Sequence, residues 1–330
     1  MNKKAFFTLF VLLITSFTFA QNKIISVDAK ANISLLNGSI SEYVFDPASH
    51  NTDDVLSRLD WDVKNVPIVS ASVDLTLFKY AYFNLGAGFG FPSTPSGNMQ
   101  DYDWLNCIPK NGGFGLPKQY GTELTNYSIH DNFLNSYRNI FVKIGYNFYL
   151  PLKITITPFV AYNYEYLGFD SFDGYEECKL DYYNYREKEE LSGIVISYFQ
   201  ETNAFLVGIK LISPVLFNLK IDGEFLISPY TSNINTLDKH HLRQTHFIDL
   251  MPWSYQLQSS LNLSYSIQKH HKIFVQGFLQ YIPVSKGNDY FRETDENGNY
   301  TSTDWTIDKG CRGGTSRFLW QISLGYCFSI

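Results

Sequence analysis

Cysteine is scarce in this chain, with four among 330 residues, and no two are spaced as Cys-x-x-Cys. This scarcity argues against a thiol-based zinc or redox site and against a small disulfide scaffold. Four cysteines allow three full pairings, and the sequence does not choose between them. We expect Cys107 and Cys178 in loops, Cys311 just before the last strand and Cys327 within that strand.

The common hydrolase and phosphate-binding motifs are also missing. The chain has no Gly-x-Ser-x-Gly, no His-Glu-x-x-His and no phosphate loop, so a serine hydrolase or a zinc protease of those types has no support. The formal net charge is −6, and this mild acidity argues against nucleic acid as a partner.

Long apolar runs are confined to the N-terminus. Lys3 and Lys4 precede an apolar run over residues 5–19, and small residues stand at −3 and −1 from a predicted cleavage site. We predict a secretory signal peptide over residues 1–20 and a mature chain of one domain over 21–330. A membrane anchor helix is the alternative, but the run is shorter than the roughly 20 residues that a spanning helix needs.

Aromatic residues, in contrast, are abundant: 24 Tyr, 27 Phe and 5 Trp. An export signal, no later apolar helix and many aromatics suit a transmembrane β-barrel, whose membrane face is encoded in alternation and aromatic girdles. A soluble periplasmic β-sandwich remains the alternative at this point.

Period-two alternation identifies the strands, and their length bears on the choice between these two folds. Segments 255–267 and 317–328 alternate apolar with polar side chains, as do 69–77 and 141–150. A sandwich gives the same alternation with its apolar side turned inward, but many segments exceed ten residues and are long for soluble strands. We therefore predict an all-β fold, a ten-stranded antiparallel transmembrane β-barrel with long extracellular loops. The predicted strands cover 28–45, 55–77, 80–91, 126–150, 154–170, 194–213, 217–233, 246–267, 272–286 and 317–328.

The predicted connections alternate between short turns and long loops. The long connections are 92–125, 171–193 and 287–316, with shorter outer ones at 46–54 and 234–245. Short periplasmic turns and long extracellular loops give this rhythm in outer-membrane barrels. Bulky residues that we assign to inner faces, namely Tyr149, Phe274 and Phe278, predict a filled lumen.

Asp101 and Asp103 form the first candidate site. They stand two residues apart in Gly-Asn-Met-Gln-Asp-Tyr-Asp-Trp, so in an extended segment both carboxylates point the same way. Paired carboxylates can share a proton or polarise a water. A solvated acidic loop or a set of calcium ligands would have the same spacing.

Asp238 and His240 form the second candidate site, again two residues apart. An Asp beside a His fixes its tautomer and supports the imidazolium, which makes His240 a plausible general base near neutral pH. A surface histidine run, with His246 binding metal adventitiously, is the alternative. We expect His130, and His270 with its neighbour His271, to be ordinary surface residues.

Together the two motifs resemble those of the omptins, outer-membrane proteases with a ten-stranded barrel and an extracellular active-site groove. The similarity continues in order along the mature chain, through Ser57-Arg58-Leu59-Asp60-Trp61, Ser96-Gly97-Asn98-Met99-Gln100-Asp101-Tyr102-Asp103-Trp104, Leu124-Thr125-Asn126-Tyr127, Tyr198-Phe199-Gln200, Asp238-Lys239-His240 and Ser285-Lys286-Gly287-Asn288.

The resemblance implies an endopeptidase in the outer membrane that faces outward and cleaves peptides or proteins. In this assignment Asp238 orients His240, which abstracts a proton from a water held between it and Asp101. That water attacks the scissile carbonyl directly, and Asp103 supports Asp101. We expect a monomer with no cofactor, and a requirement for lipopolysaccharide stays open.

Substrate preference follows less directly from the resemblance. Omptins favour basic residues because acids line the pocket, and Glu42 aligns with one of these acids. Thr236 stands where the second acid is expected, two residues before Asp238. This change favours an alternative in which the barrel is catalytically silent and acts as an adhesin or receptor. A small channel is a third possibility, which the filled lumen argues against.

Overall fold

The computed structural model describes residues 25–45, 55–104, 124–180 and 185–330. Within these ranges fifteen strands form a single antiparallel sheet. The sheet closes because β1 (Ile25–Phe45) pairs with both β2 (Val55–Leu77) and β15 (Arg312–Ser329). In the described part of the chain, no helix is long and apolar enough to cross a membrane. The predicted signal peptide and Cys107 lie outside the described residues.

The ring has ten positions, as predicted, because several positions are built from two consecutive strands. β3 and β4 share the third position, and β12 and β13 share the ninth. The remaining bounds are β3 (Ala81–Gly90), β4 (Thr94–Asp103), β5 (Asn126–Tyr146), β6 (Phe148–Tyr149), β7 (Thr155–Leu180), β8 (Tyr185–Glu190), β9 (Ile194–Ile212), β10 (Leu219–His240), β11 (Thr245–Gln268), β12 (His271–Lys286), β13 (Asn288–Glu293) and β14 (Thr306–Ile307).

The strands at one end of the barrel are longer than the sequence predicts. Residues 94–103 of the predicted connection 92–125 form β4, β10 continues through 234–240, and 287–316 contains β13 and β14. Cys178 lies on β7 and not in a loop, whereas Cys311 and Cys327 lie where they were predicted. These extensions escape a search for alternation because bulges interrupt the period of two.

The outer wall of the barrel is apolar and its interior is polar. Ile33, Leu85 and Leu324 expose more than half of their surface, whereas Gln256 and Gln280 are fully buried inside. Ion pairs also line the lumen, such as Lys210 Nζ to Glu224 Oε1 at 3.2 Å. This arrangement is the reverse of a soluble sandwich and matches a membrane barrel.

The prediction of a filled lumen is confirmed in part. Phe274 is buried against the lumen, where Phe278 also lies, but the assignment of Tyr149 to an inner face is wrong. Tyr149 is 55% exposed, and its hydroxyl donates to the Lys79 carbonyl at 2.6 Å near the short turns. Tyr149 stands just before the turn Pro151–Lys153, at the end of the barrel, where a side chain on either face of the strand reaches solvent.

Side chains fill the barrel between the polar lumen and its long-strand end. Trp61 is fully buried and stacks between Phe169 and Tyr198, with ring centroids at 6.0 and 5.4 Å. Nearby, the buried guanidinium of Arg317 donates to Glu165 and to other polar groups from across the barrel. These packed layers form the floor of the site and leave little support for a channel.

Candidate active site

β4 carries the predicted aspartate pair on its inward face. Gly97 has φ of +109°, and a bulge there shifts the pairing of β4 with β5 by one residue. Residues with odd numbers therefore point inward beyond the bulge, and Met99, Asp101 and Asp103 are all buried. A Cβ at Gly97 would also crowd the Asp62 side chain at 2.7 Å, so this position requires glycine.

β10 carries the second predicted pair on the same inward-facing side. Oδ2 of Asp238 lies 2.6 Å from Nε2 of His240, and both side chains are buried. Phe247, opposite Asp238 on β11, packs edge-on against the imidazole at 5.4 Å. The ring of His240 is thus held by a carboxylate and by an aromatic contact.

A cleft at the long-strand end of the barrel brings the two pairs together. Asp101 and Asp103 line it from β4, and His240 lines it from β10, with Asp238 behind the imidazole. The cleft has an empty volume of about 540 Å³, and Glu176 and Arg243 also contribute to its wall. Acidic, basic and imidazole groups therefore face one open space.

Burial changes the titration of the aspartate pair. Burial and the adjacent Asp103 hold the pKa of Asp101 well above its usual value. Burial also raises the pKa of Asp103. The guanidinium of Arg243, 3.9 Å from Asp103 Oδ2, opposes both increases. Two carboxyls placed in this way favour a state in which they hold one proton between them.

Glu42 lies on β1 with its side chain buried. Burial, followed by the charges of Asp238, Asp249 and Asp289, holds its pKa well above the usual value. Thr236 is buried on β10, and its hydroxyl accepts a hydrogen bond from the Asp249 amide at 3.3 Å. The neighbourhood of Glu42 is therefore strongly acidic although Thr236 contributes no charge.

The metal-binding alternatives receive no support from the geometry. No group of three or more His, Cys, Asp or Glu side chains within the described ranges is arranged to hold a metal ion. His246, which was considered as part of a surface histidine run, is instead buried, and its Nδ1 lies 3.2 Å from the Tyr300 hydroxyl.

Comparison with known proteins identifies the family. The model of the omptin family matches residues 23–309. The chain belongs to the omptin family. It is 35% identical over 82 residues to the plasminogen activator of Yersinia pestis, a match that spans 24% of this chain and only 25% of that protein. Its fold is similar to the outer membrane protease OmpT from Escherichia coli, with a TM-score of 0.78 and 16% identity over 95% of this chain and 99% of that one.

The family resemblance seen in the sequence is thus confirmed. Membership of the omptin family and the barrel fold support an outer-membrane location. At 16% identity the structural similarity shows the fold alone. The roles of individual residues in this omptin must therefore be argued from its own geometry.

Several residues of the omptin cleft are not found by sequence reasoning. His130 was expected at the surface, but it is buried, its Nε2 lies 2.8 Å from the Ser128 hydroxyl, and it lines the cleft. Arg243 and Glu176 come from segments that were expected to be loops. The pairing of the extended strands brings these groups close to the aspartates. No sequence motif marks that pairing.

Proposed function

We propose that this omptin is an endopeptidase that cleaves peptides or proteins at the cell surface. The observation that carries the proposal is the shared cleft, in which Asp101 and Asp103 face His240 from another part of the ring. Paired carboxylates opposite an imidazole that is itself oriented by a carboxylate make an acid–base set. A surface that only binds a partner has no need of this set.

The chemistry depends on which ring nitrogen of His240 is free to accept a proton. Because Asp238 Oδ2 accepts from Nε2 at 2.6 Å, Nδ1 is the nitrogen left to take a proton. A water held between His240 and Asp101 loses its proton to the imidazole and attacks the scissile carbonyl directly, without an acyl-enzyme. The imidazolium, stabilised by Asp238, then supplies a proton to the leaving amine.

Asp101 and Asp103 act on the other side of the attacked carbonyl. The raised pKa of Asp101, caused by burial and by Asp103, favours a carboxyl that keeps its proton and orients the water by hydrogen bonding. Asp103 supports Asp101 and the charge that develops during attack. The reaction uses water as nucleophile, so it needs no cofactor, and one chain supplies all four groups, which suits a monomer.

The cleft is assigned to the extracellular side of the outer membrane. Tight turns at 78–80, 217–218 and 269–270, together with Pro151–Lys153, occupy the opposite end of the barrel. Short turns are periplasmic in outer-membrane barrels. Substrate would therefore reach the cleft from outside the cell.

Refolded protein in detergent, with and without lipopolysaccharide, provides the test. A mixed peptide library is incubated with the wild type and with His240→Ala, and the products are read by mass spectrometry. Cleavage that disappears in His240→Ala supports the proposal, and comparison of the two detergent conditions reports a requirement for lipopolysaccharide. If folded wild-type protein cleaves nothing in either condition, the proposal fails and the silent adhesin or receptor is favoured.

A further inference from the structure

A serine and a histidine that the proposed reaction does not use line the same cleft as the aspartates. Ser128 and His130 lie two residues apart on β5, so their side chains share one face of the strand. Oγ of Ser128 lies 2.8 Å from Nε2 of His130, and both side chains are buried. A hydroxyl within hydrogen-bond distance of an imidazole is the arrangement in which a serine is activated as a nucleophile.

A backbone carbonyl fixes the tautomer of His130. Nδ1 of His130 hydrogen-bonds to the main-chain carbonyl of Asp173. Because a carbonyl oxygen can only accept, Nδ1 carries the proton. Burial lowers the pKa of His130, so the ring is neutral and Nε2 has a free lone pair. Ser128 must therefore donate its hydroxyl proton to Nε2, which is the direction that general-base catalysis needs.

A bulge on β7 aims the Asp173 carbonyl at the ring. The pairing of β5 with β7 shifts between Ile129 and Asp131, so that Asp173 and Gly174 both stand opposite His130. Asp173 and Gly174 have φ of +52° and +98°. A Cβ at Gly174 would lie 2.0 Å from the Ile129 carbonyl oxygen and 3.0 Å from Nδ1 of His130, so this position requires glycine.

The connection between β8 and β9 holds this bulge in place. The Asp173 amide donates to the Gly193 carbonyl at 2.9 Å, and the Gly193 amide donates to Oδ1 of Asp173 at 2.8 Å. The Leu191 amide donates to the Gly174 carbonyl at 2.9 Å. The group that orients His130 is thus itself fixed. A nucleophile, a base and a third group that orients the base are the three parts of a catalytic serine site.

The walls of the cleft suit an acyl group. Aliphatic side chains form one part of the wall, contributed by Leu191, Val195, Ile196 and Leu242. Apolar walls beside a polar reacting group accommodate a short aliphatic chain. Arg243 also lines the cleft and brings a positive charge, which stabilises an oxyanion. This chemistry selects a small carboxylic ester with an aliphatic acyl group.

We propose that Ser128 and His130 form a second reactive centre in the cleft, a serine nucleophile with its general base, which hydrolyses small carboxylic esters. The centre is separate from the water-mediated peptidase reaction and does not rest on it. It also differs from the serine hydrolases with a Gly-x-Ser-x-Gly turn, because the nucleophile lies on a strand.

The reaction has two halves. In the first, Oγ of Ser128 bonds to the ester carbonyl carbon while its proton passes to Nε2 of His130, and the departing alcohol takes that proton as its C–O bond breaks. In the second, a water gives a proton to Nε2 and attacks the acyl carbon. The bond to Oγ breaks, Oγ recovers the proton from Nε2, and the carboxylic acid leaves.

Covalent labelling locates the nucleophile directly. An alkyl fluorophosphonate forms a phosphorus–oxygen bond with an activated serine, and fluoride leaves. Refolded wild type in detergent should carry an adduct that peptide mass spectrometry places on Ser128. Ser128→Ala should carry none there, and His130→Gln should react at least about 100-fold more slowly, the lower end of what a general base contributes. His130→Asn removes the same base and serves where His130→Gln does not fold.

A second serine–histidine contact supplies the matched control. Ser197 is buried with its Oγ 2.9 Å from Nε2 of His241, but it is not among the described residues that line the cleft. Ser197→Ala should be labelled on Ser128 as fast as the wild type. With folding confirmed by heat-modifiable gel mobility, a wild type without an adduct on Ser128, or a His130 variant labelled as fast as the wild type, would overturn the inference.

Ester turnover completes the test. The wild type should hydrolyse 4-nitrophenyl butyrate, and Ser128→Ala should lose at least about 100-fold of this rate. Equal rates for the two proteins would overturn the inference.

The same measurements separate this inference from the proposed function. His240→Ala should still be labelled on Ser128, because the Ser128 reaction does not use His240. Labelling of a wild type that cleaves no peptide would remove the peptidase and keep the serine centre. Peptide cleavage without an adduct on Ser128 would keep the peptidase and remove the serine centre.

Discussion

Asp238 and His240 lie two residues apart on one face of β10, and their side chains meet at 2.6 Å between Oδ2 and Nε2. Side chains at i and i+2 of a strand share a face, so the spacing alone brings the carboxylate to the ring. The contact fixes which nitrogen carries the proton, in the way that a carboxylate orients an imidazole in other hydrolases.

This relationship predicts strong coupling between the two residues. Asp238→Asn should lower kcat by about 10²–10⁴-fold with a small change in KM, because it removes support for the imidazolium formed in the transition state. Asp238→Asn combined with His240→Ala should be little slower than His240→Ala alone, since both disable one unit. Steady-state kinetics on one peptide measures kcat for the two single variants and the double variant. If the fold-losses in kcat of the single variants multiply in the double variant, the shared role is contradicted.

Arg243 should set the acidic limit of activity. Its guanidinium opposes the raised pKa of both Asp101 and Asp103. In Arg243→Gln the pair should take up its second proton, the one that neutralises Asp103, at higher pH, so the acidic limb of kcat/KM should move towards alkaline pH by roughly a few tenths of a unit. The effect is small because Arg243 is 54% exposed. Lys64→Gln, which removes an exposed cation on β2, serves as the control, and an unchanged limb in Arg243→Gln would refute the electrostatic role.

The sequence predicts the inward pairs of the site because each is contained in one short stretch of strand. Asp101 with Asp103 and Asp238 with His240 need only a period of two. The number of ring positions follows for the same reason, since segments such as 317–328 alternate without interruption.

Asp249 could not be found in this way because a bulge reverses the alternation of β11. Gln256 and Gln258 point inward, so continuing their alternation would direct Asp249 outward. The pairing of β10 with β11 shifts between Ser232 and Ile234, and beyond this shift Asp249 is buried inside. A one-residue slip exchanges the two faces of a strand, and nothing in the local sequence marks where it happens.

Gly313 offers a test of the acidic neighbourhood of Glu42 that leaves every acid in place. Gly313→Ala places a methyl group where the Asp249 carboxylate lies, so that carboxylate must move. If the acids near Glu42 select basic residues, kcat/KM for a peptide with a central arginine should fall by about tenfold or more, with a smaller loss for the same peptide with uncharged citrulline in its place. Gly277→Ala on β12 is the matched control because its Cβ would meet nothing within 4 Å. Equal losses for both peptides in Gly313→Ala would indicate general damage to the cleft.

The opposed carboxyls of Asp249 on β11 and Asp289 on β13 should make the barrel less stable as pH rises. Burial raises the pKa of Asp289 in the folded protein to about 6 from 3.8. The folded state then binds more protons than the unfolded state, so the stabilising contribution is complete below pH 4 and is lost as pH rises through 6. Asp289→Asn removes this dependence and should be more stable than the wild type by about 1–3 kcal/mol at pH 7.5, with no such gain at pH 4.

Thermal unfolding midpoints in detergent at pH 4 and pH 7.5 measure this difference, with Asp304→Asn as the exposed control. An Asp289→Asn variant that is no more stable than the wild type at pH 7.5 would show that the carboxyl pair carries no strain. A stabilised variant would show that the opposed Asp249 and Asp289 repel each other at neutral pH. Replacing one of two like charges at opposed positions of an antiparallel pair removes their repulsion, so the gain in stability should appear only at a pH where both carboxyls can ionise.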